Sequence, residues 1–489
     1  MTMSEWTYKT AADLSTALDA RRVSAVELAQ DAIARIEAYD GAVNAVCVQD
    51  FDRALEAARA ADAALARGER KALLGLPITV KESYNIAGLP TTWGFPGAKD
   101  FVAAEDALSV ARVKAAGAVI LGKTNVPVAL GDWQSYNDIY GATRNPWNLE
   151  RTPGGSSGGS SAALAAGYGP LSLGSDIGGS LRAPAHYCGV YAHKPSHALA
   201  PGRGHTPPGA PVLPHERPLA VIGPMARSAS DLTLLLDVIA GPDPLDAGIA
   251  YRLELPPPRH TTLKDFRILL LDSHPLLPTG DSVQAAIDGL AEALTGAGAK
   301  VARDSTLLPD PVAAMRLYMR QLQAFLGLTL APETYEEMRA KAAELPPDAH
   351  SLVDEALRGT VISHRDWQID DGKRAVLRRQ WAELFRQFDA VICPVMPTPA
   401  YPHQFSGTIG TRRLAFDGID VAYGSQLAWP GLATTPGLPA TSVPVGLSSE
   451  GLPIGVQIVG PWLEDRTPLR LAALMEREFG GFVPPPGFA

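Results

Sequence analysis

The sequence predicts an α/β protein with a mixed, mostly parallel central β-sheet and helices on both of its faces. Three observations support this prediction. Residues 266–302 have the pattern of an apolar strand, a helix and a second strand, which is typical of parallel pairing. Short apolar segments return much later, at residues 390–393, 441–445 and 455–459. No internal repeat of about 20–50 residues is found, which argues against a solenoid.

The first half of the chain predicts helices that alternate with short strands. Ser24 and Glu27 form a capping-box pattern in front of apolar residues at helical spacing. Residues 73–80 are short and apolar, so they predict a strand, and this strand runs directly into Lys81. The other elements predicted in this half are helices over residues 51–67, 106–116 and 228–240 and strands over residues 118–121 and 171–173.

Residues 311–388 differ from the flanking sequence because they look wholly helical and carry more charge. We expect this segment to be a helical excursion that covers a pocket. Before it, a predicted helix over residues 282–294 connects the strands at 266–271 and 300–302. The length allows one large domain or two or three ordinary ones, and we predict a single domain over residues 1–489.

The composition limits the classes of function. The chain is 46% hydrophobic and 19% charged, with a net charge of −9 and no run rich in Lys or Arg, so a globular protein without a nucleic-acid groove is expected. Its three cysteines form no Cys-x-x-Cys pair, which argues against a disulfide framework or a zinc ribbon. Residues 1–6 lack a signal-peptide pattern, and no run of about 18 apolar residues occurs. We therefore expect a cytoplasmic protein that does not span a membrane.

Two segments rich in glycine and serine, residues 152–161 and 176–182, lie on either side of an apolar, alanine-rich segment. Glycine allows a positive φ and a close approach of the backbone to another group. A serine hydroxyl can attack a carbonyl once a base activates it. Flexible linkers are also rich in these residues, but they do not alternate with apolar segments, so the linker interpretation is disfavoured.

Two familiar motifs occur in the wrong context. Residues 117–124 match the phosphate-loop pattern Gly-x4-Gly-Lys-Thr, but the four loop positions are apolar and Pro127 follows closely, so a core strand that ends in a turn is predicted. Residues 154–158 match Gly-x-Ser-x-Gly, the nucleophile elbow of α/β-hydrolases. That elbow follows an apolar strand, whereas residues 148–153 are polar and end in proline.

The segments around Lys81, Ser156 and Ser180 together closely resemble the amidase signature family. The matching segments are residues 78–82, 122–125, 145–147, 153–160, 174–182, 188–189 and 194–195. Ser156 follows Lys81 by 75 residues and precedes Ser180 by 24, and both spacings look familiar for the family. The signature core covers residues 73–196, and residues 437–444 and 451–460 also look like the family. The resemblance implies the amidase signature fold.

The resemblance implies a Ser–Ser–Lys triad. Ser180 would be the nucleophile, Ser156 a proton relay preceded by a cis peptide, and Lys81 the base. A lysine accepts a proton only when it is neutral, so its pKa must fall well below about 10.4. Burial lowers the pKa of an amine, and the end of an apolar strand is a suitable place for burial.

The resemblance also implies an oxyanion hole, formed by the backbone N–H groups of Ile177, Gly178, Gly179 and Ser180. Such N–H groups stabilise the tetrahedral oxyanion of acyl transfer. Asp176 and Arg182 resemble family positions that brace this loop. Ser157 is expected to hydrogen-bond backbone groups only.

Three histidines lie near the signature core, and no histidine of the chain matches a catalytic motif of the family. We expect His186, His193 and His197 to be structural. His193 stands where many relatives have a leucine, within residues 190–196, and this departure concerns the subfamily and not the triad.

The implied reaction is hydrolysis of a carboxylic amide C–N bond through an acyl-enzyme, without a metal or organic cofactor. Apolar residues in the candidate pocket segments favour aryl or alkyl amides or anilides, with esters and carbamates as further options. These segments are residues 88–97, 133–137, 311–388 and 423–429.

Two other functions stay open. One is the glutaminase subunit of a tRNA-dependent amidotransferase, which would need partner subunits. The apolar pocket and the altered stretch at residues 190–196 argue mildly against it. The other is a non-catalytic binding protein, which the presence of all three triad residues disfavours. The expected partner is a small-molecule amide, and a homodimer is the candidate assembly.

Overall fold

The computed structural model of the protein describes residues 4–488. Residues 1–3, which belong to the N-terminal stretch without a signal-peptide pattern, lie outside it, as does residue 489. The helices of the described chain are α1 (Ala11–Asp19), α2 (Ala25–Val43), α3 (Phe51–Ala66), α4 (Leu108–Ala115), α5 (Gly158–Ala165), α6 (Arg182–Cys188), α7 (Ala229–Ile239), α8 (Asp281–Gly296), α9 (Pro311–Leu326), α10 (Pro332–Ala343), α11 (Leu352–Thr360), α12 (His364–Gln387), α13 (Ala428–Thr434) and α14 (Arg466–Phe479). The strands are β1 (Val46–Gln49), β2 (Pro77–Lys81), β3 (Val119–Thr124), β4 (Tyr136–Asn137), β5 (Gly141–Ala142), β6 (Leu171–Asp176), β7 (Tyr191–Lys194), β8 (Val221–Ala226), β9 (Arg267–Leu270), β10 (Lys300–Ala302), β11 (Ala390–Pro394), β12 (Arg413–Phe416), β13 (Ile419–Ala422), β14 (Ala440–Leu447) and β15 (Pro453–Val459).

Eleven strands form one mixed sheet in the order β1-β3-β2-β6-β8-β7-β14-β15-β11-β9-β10. Parallel pairs occur in two groups, β3-β2-β6 and β11-β9-β10. The strands between these groups, and β1 at one edge, pair in the antiparallel sense. The predicted α/β fold, with a mixed sheet and helices on both faces, is confirmed.

Local sequence signals explain why several elements begin where they do. The Ser24 hydroxyl accepts a hydrogen bond from the Glu27 N–H at the start of α2, and the Glu27 carboxylate accepts one from the Ser24 N–H, which confirms the predicted capping box. Ser228 caps α7 in a similar way. Every residue of β2, β3 and β6 is buried, which fits their apolar sequences and their place in the parallel part of the sheet.

The structure differs from the sequence prediction at residues 73–76. These residues form a turn and not the start of a strand, and β2 begins only at Pro77. The turn is buried and apolar, so its composition resembles that of a strand. Gly75 has φ of +80°, and a Cβ atom there would lie 2.9 Å from the Cβ atom of Ala25. The close packing of α2 therefore requires glycine at this turn.

Residues 311–388 contain four helices, α9 to α12, separated by short connections. α9 and α11 pack against each other through the backbone of Arg320, which lies so close to Gly359 that a Cβ atom there would meet the Arg320 carbonyl oxygen. Two carboxylates then hold the Arg320 side chain, since it donates to Glu355 of α11 and to Asp370 of α12 at 2.6 Å each. These contacts hold α9 against α11 and α12.

The segment that matches the phosphate-loop pattern forms strand β3, as predicted. Lys123, the lysine of that pattern, is fully buried and donates hydrogen bonds to the Pro90 carbonyl oxygen and to the Thr91 hydroxyl, the latter at 2.8 Å. Between residues 4 and 488, no helix combines the length and the apolar character that a membrane span needs.

Candidate active site

The candidate site lies at one edge of the sheet, where β2, β6 and the start of α5 meet. Lys81 is the last residue of β2, and Ser175 and Asp176 are the last two residues of β6. Because β2 and β6 are parallel neighbours, their carboxyl ends share this edge. Ser156 and Ser157 directly precede α5, which packs on both strands. The two glycine- and serine-rich segments therefore meet at Lys81.

Three serine hydroxyls surround the Lys81 amine. Its Nζ atom donates to the Oγ atoms of Ser156 at 2.7 Å, Ser175 at 2.9 Å and Ser157 at 3.0 Å. The side chain is fully buried, and this burial lowers the pKa of Lys81 to about 7, although the negative charge of Asp176 acts in the opposite direction. A large fraction of this lysine is therefore neutral at neutral pH and able to accept a proton.

Two of these hydroxyls were not assigned from the sequence. Ser157 was expected to hydrogen-bond backbone groups only, and this expectation is wrong because its hydroxyl accepts from Lys81. Ser175 was not singled out. Its position at the end of a strand, directly before the second glycine- and serine-rich segment, is the sequence signal that could have identified it.

Ser156 and Ser180 line the same cavity, which has a volume of about 180 Å³. The peptide bond between Gly155 and Ser156 is cis, as the resemblance implies. The Ser180 carbonyl oxygen accepts a hydrogen bond from the Ser157 N–H at 3.2 Å. The Ser180 hydroxyl has no hydrogen-bond partner within residues 4–488, so it is free to meet a ligand in the cavity.

The loop before Ser180 lines the cavity with Ile177 and Gly178. The Gly179 N–H donates to the Asp176 carboxylate at 2.9 Å. The N–H groups of Ile177, Gly178 and Ser180 have no partner in the part of the chain that the structure describes. Gly179 has φ of +95°, and a Cβ atom there would lie 2.8 Å from the Pro430 ring, so the loop requires glycine at this position.

Two aromatic side chains hold the carbonyl groups of the same loop. The Tyr318 hydroxyl, on α9, donates to the Ile177 carbonyl oxygen at 2.6 Å. The Trp133 indole N–H donates to the Gly178 carbonyl oxygen at 2.9 Å. In a planar peptide the carbonyl and the following N–H point in opposite directions. The Tyr318 contact therefore fixes the direction of the Gly178 N–H, and the Trp133 contact fixes that of the Gly179 N–H, which donates to Asp176.

A buried ion pair braces the loop, as the resemblance implies. Arg182 donates to both carboxylate oxygens of Asp176, at 3.1 and 2.9 Å, and both side chains are fully buried. Burial by itself would raise the pKa of Asp176, but the charge and the hydrogen bonds of Arg182 dominate and lower this pKa to about 2. Asp176 also accepts from the Leu181 N–H, so one carboxylate shapes the whole turn.

The three histidines near the signature core are structural, as expected. His186 lies 2.9 Å from the backbone of both Gly455 and Thr398, and His193 lies 3.1 Å from the Asp465 carboxylate. The His197 Nε2 atom lies 2.9 Å from the Arg217 carbonyl oxygen. The sequence did not identify His205, which lines the cavity with its Nε2 atom 2.9 Å from the Ser83 hydroxyl.

The cavity wall is mostly apolar, and each segment expected to shape the pocket contributes to it. The large apolar side chains on the wall include Trp93, Trp133, Leu322, Phe325, Leu326 and Leu427. The charged side chains there are Asp132, Asp176, Glu216 and Arg217. Among residues 4–488, no cluster of three or more His, Cys, Asp or Glu could hold a metal ion.

Known proteins resemble this chain over almost its whole length. The amidase family model matches residues 27–469. The chain is 33% identical to a glutamyl-tRNA(Gln) amidotransferase subunit of Roseiflexus sp. (strain RS-1), with 96% of each protein covered. It is 30% identical to a chain in the structure of a vestigial protein complex that reveals the evolutionary origins of an s-triazine catabolic enzyme, with a TM-score of 0.78 and 96% and 98% of the chains covered. It is 26% identical to a bacterial aryl acylamidase of the amidase signature family, with a TM-score of 0.78 and 98% and 97% covered.

Proposed function

The chain belongs to the amidase family, and from this premise we propose that it hydrolyses carboxylic amides through an acyl-enzyme on Ser180. The proposal rests on one observation. The Nζ atom of the buried Lys81 lies 2.7 Å from the Ser156 hydroxyl oxygen, and Ser156 lines the same cavity as Ser180. A base, a relay and a nucleophile are thus available around one space that is large enough for a small amide.

In the first step, the Ser180 hydroxyl attacks the amide carbonyl carbon. Its proton passes to Ser156, which gives its own proton to the neutral Lys81 amine. The carbonyl oxygen becomes an oxyanion and accepts hydrogen bonds from the unpartnered N–H groups of Ile177, Gly178 and Ser180. Ser157 and Ser175 hold the Lys81 amine in place during this transfer.

In the second half of the reaction, the proton returns along the same path. Lys81, now an ammonium, gives a proton through Ser156 to the leaving nitrogen, so that the C–N bond breaks with release of an amine or ammonia. Water then gives its proton to the same relay and attacks the Ser180 ester. As the ester C–O bond breaks, the relay returns this proton to the Ser180 oxygen, so the products are the carboxylic acid and the free Ser180 hydroxyl.

For the substrate, the relatives favour the glutaminase alternative over the aryl or alkyl amides that the sequence analysis placed first. The amidotransferase subunit of Roseiflexus is 33% identical over nearly the full length of both proteins. We therefore infer that the chain cleaves the side-chain amide of glutamine as one component of an assembly. A protein partner that uses the ammonia would follow from this assignment.

The cavity favours a second candidate, an aryl or alkyl amide. Two tryptophans, a phenylalanine and several leucines form most of its wall, and such a wall suits an apolar group. The solved aryl acylamidase, at 26% identity, supports the same candidate. We further propose that the chain is a single domain in which residues 311–388 cover this cavity.

One set of assays tests the chemistry and then separates the two substrates. A fluorophosphonate probe should label the wild type and not Ser180→Ala, and labelling of both proteins at the same site would refute the nucleophile assignment. The purified chain is then assayed for ammonia from L-glutamine and for aniline from acetanilide. Release of ammonia alone supports the glutaminase, and release of aniline alone supports the aryl amidase. Absence of any Ser180-dependent turnover with a wider amide panel would contradict both.

A further inference from the structure

One arginine lines the wall of the active-site cavity. Arg217 is half-buried and lies on the irregular segment between β7 and β8. Among the lining residues that the structure describes, it is the one lysine or arginine. Its guanidinium lies over the Trp93 ring, with Cζ 5.6 Å from the ring centre, and Trp93 also lines the cavity. A cation at this distance from an aromatic ring is attracted by the ring face, and this contact leaves the hydrogen-bonding capacity of the guanidinium N–H groups unused.

The Arg217 guanidinium has no counter-ion within residues 4–488. The structure gives it no hydrogen bond and no ion pair, and burial lowers its pKa below the usual value. Glu216, the next residue, also lines the cavity but forms no ion pair with it in the described chain. A partly desolvated cation without a partner costs free energy, and an anion that binds to it recovers part of that cost.

Of the other charged side chains on the wall, Asp132 and Asp176 already have partners, whereas Glu216 is exposed to solvent. Asp132 accepts hydrogen bonds from Arg412 and from the Tyr423 hydroxyl, and Asp176 is paired with Arg182. His205 is neutral at physiological pH because burial lowers its pKa well below the usual value. A negatively charged ligand in this cavity therefore finds one cation free to receive it.

We propose that Arg217 binds a carboxylate of the substrate, so that the substrate is an amide that carries a carboxylate elsewhere in the same molecule. This inference rests on the proposed amide hydrolysis at Ser180. Its chemistry fits glutamine, which has a carboxylate besides its side-chain amide, and does not fit an uncharged anilide. A planar guanidinium suits a planar carboxylate because two parallel N–H groups can donate to its two oxygens.

The test compares matched amides with and without a carboxylate. Succinamate, glutaramate, adipamate and L-glutamine are compared with the uncharged butyramide, valeramide and hexanamide. Binding is measured by calorimetry in the Ser180→Ala background, so that the result does not depend on turnover. We expect at least one carboxylate amide to bind more tightly than its uncharged partner. Arg217→Gln should reduce this difference in affinity by about tenfold to a hundredfold. Binding of the uncharged amides should not change.

Two further variants complete the design. Arg217→Lys keeps the charge without the bidentate geometry and should recover part of the preference. Arg203→Gln removes a charge from the same segment, but its guanidinium already pairs with Asp243 at 2.7 Å and does not line the cavity, so it should keep the preference. Circular dichroism and thermal unfolding verify that each variant is folded.

The outcomes distinguish this inference from the proposed function. Suppose that hydrolysis of uncharged amides requires Ser180 but that no carboxylate amide binds more tightly than its uncharged partner. Only the proposed role of Arg217 is then overturned. The same conclusion follows if Arg217→Gln weakens charged and uncharged amides equally. If the fluorophosphonate fails to label Ser180 and no amide is turned over, the proposed function fails, whatever the calorimetry shows.

Discussion

Lys81 and Lys123 lie on neighbouring parallel strands, β2 and β3, and both side chains are fully buried. Burial lowers the pKa of Lys81 to about 7 and that of Lys123 to about 8. Their partners differ. Lys81 donates to three serine hydroxyls, whereas Lys123 donates to the Pro90 carbonyl oxygen and the Thr91 hydroxyl. Two of the Lys81 partners, Ser156 and Ser175, line the cavity.

This difference shows that a lowered pKa does not by itself identify a catalytic base. A serine hydroxyl can both accept and donate a proton, so it can pass one between Lys81 and a substrate group. The Pro90 carbonyl oxygen that Lys123 contacts only accepts a hydrogen bond, and the Thr91 hydroxyl donates onward to the Tyr84 carbonyl oxygen at 3.3 Å. Neither Pro90 nor Thr91 lines the cavity. We therefore assign chemistry to the surroundings of Lys81 and a structural role to Lys123.

The largest expected effect is that of replacing the nucleophile, Ser180. Lys81 differs from Lys123 in function only if the proton that Lys81 accepts comes from Ser180. Ser180→Ala should lower kcat by about 10⁴-fold or more, with the fold intact. The assay measures turnover of the best amide substrate, together with labelling by fluorophosphonate. Ser161→Ala is a suitable control, because Ser161 is a buried serine whose hydroxyl has no partner within residues 4–488. Substantial activity in Ser180→Ala would remove the basis for the proposed mechanism.

The lysine comparison is tested directly by a pair of matched variants. Lys81→Met should lower kcat by about 10³-fold because the relay loses its base, while the apolar side chain is compatible with a buried site. Lys123→Met should leave kcat within a few fold of the wild type and act on stability, because it leaves a buried carbonyl group without its donor. Kinetics and chemical denaturation of both variants check this. Equal losses of kcat in the two variants would contradict the assignment.

The pH dependence separates the two lysines further. Lys81 must be neutral to accept a proton, so kcat/KM should fall about tenfold per pH unit below pH 7 and level off above it. Lys123→Met should keep this profile. An activity that stays constant from pH 7 to pH 5 would exclude Lys81 as the base.

Stability should depend on pH for both lysines. Each has a lower pKa in the folded chain than the usual 10.5 of the unfolded chain, so the unfolded state binds more protons between the two values. The free energy of unfolding should therefore rise with pH from about 7 to 10.5 for Lys81 and from about 8 to 10.5 for Lys123. Denaturation at several pH values should show a flatter slope in either methionine variant.

The sequence predicted the parts of the site that lie in contiguous motifs. Lys81, Ser156 and Ser180 each lie in a segment that resembles a motif of the amidase signature family, and the apolar strand predicted before Lys81 indicated that Lys81 is buried. The third hydroxyl partner of Lys81, Ser175, depends on the pairing of β2 with β6, which the sequence does not specify. Arg217 lies in a segment without periodicity, so no pattern placed it on the cavity wall.

The strands likewise divide into those that a local sequence pattern predicts and those that depend on tertiary packing. Most strands with continuous apolar sequence were predicted, but β8, at residues 221–226, was not, because Gly223 and Pro224 interrupt its pattern. The structure explains the glycine, since a Cβ atom at Gly223 would lie 2.3 Å from the His193 carbonyl oxygen. Close packing of two neighbouring strands is a tertiary constraint, and a local pattern does not reveal it.

The smallest expected effect is that of replacing Tyr318, which supports the loop before Ser180. Tyr318, on α9, donates to the Ile177 carbonyl oxygen at 2.6 Å and so fixes the peptide whose N–H belongs to Gly178. Tyr318→Phe should lower kcat about tenfold and leave KM nearly unchanged, because an oxyanion forms in the transition state and not in bound substrate. The effect should be smaller than loss of an oxyanion donor, since the N–H remains and only its orientation is released.

A matched control separates this effect from a general loss of packing. Tyr187→Phe removes the hydroxyl of another fully buried tyrosine, which donates to the Gln426 side chain at 3.3 Å and not to the loop. It should leave kcat within about twofold of the wild type. If Tyr318→Phe raises KM without a change in kcat, Tyr318 contacts the ground-state substrate and does not orient the oxyanion loop. If Tyr318→Phe and Tyr187→Phe lower kcat equally, the loss reflects the packing of buried tyrosines, and α9 then has no specific role in the chemistry at Ser180.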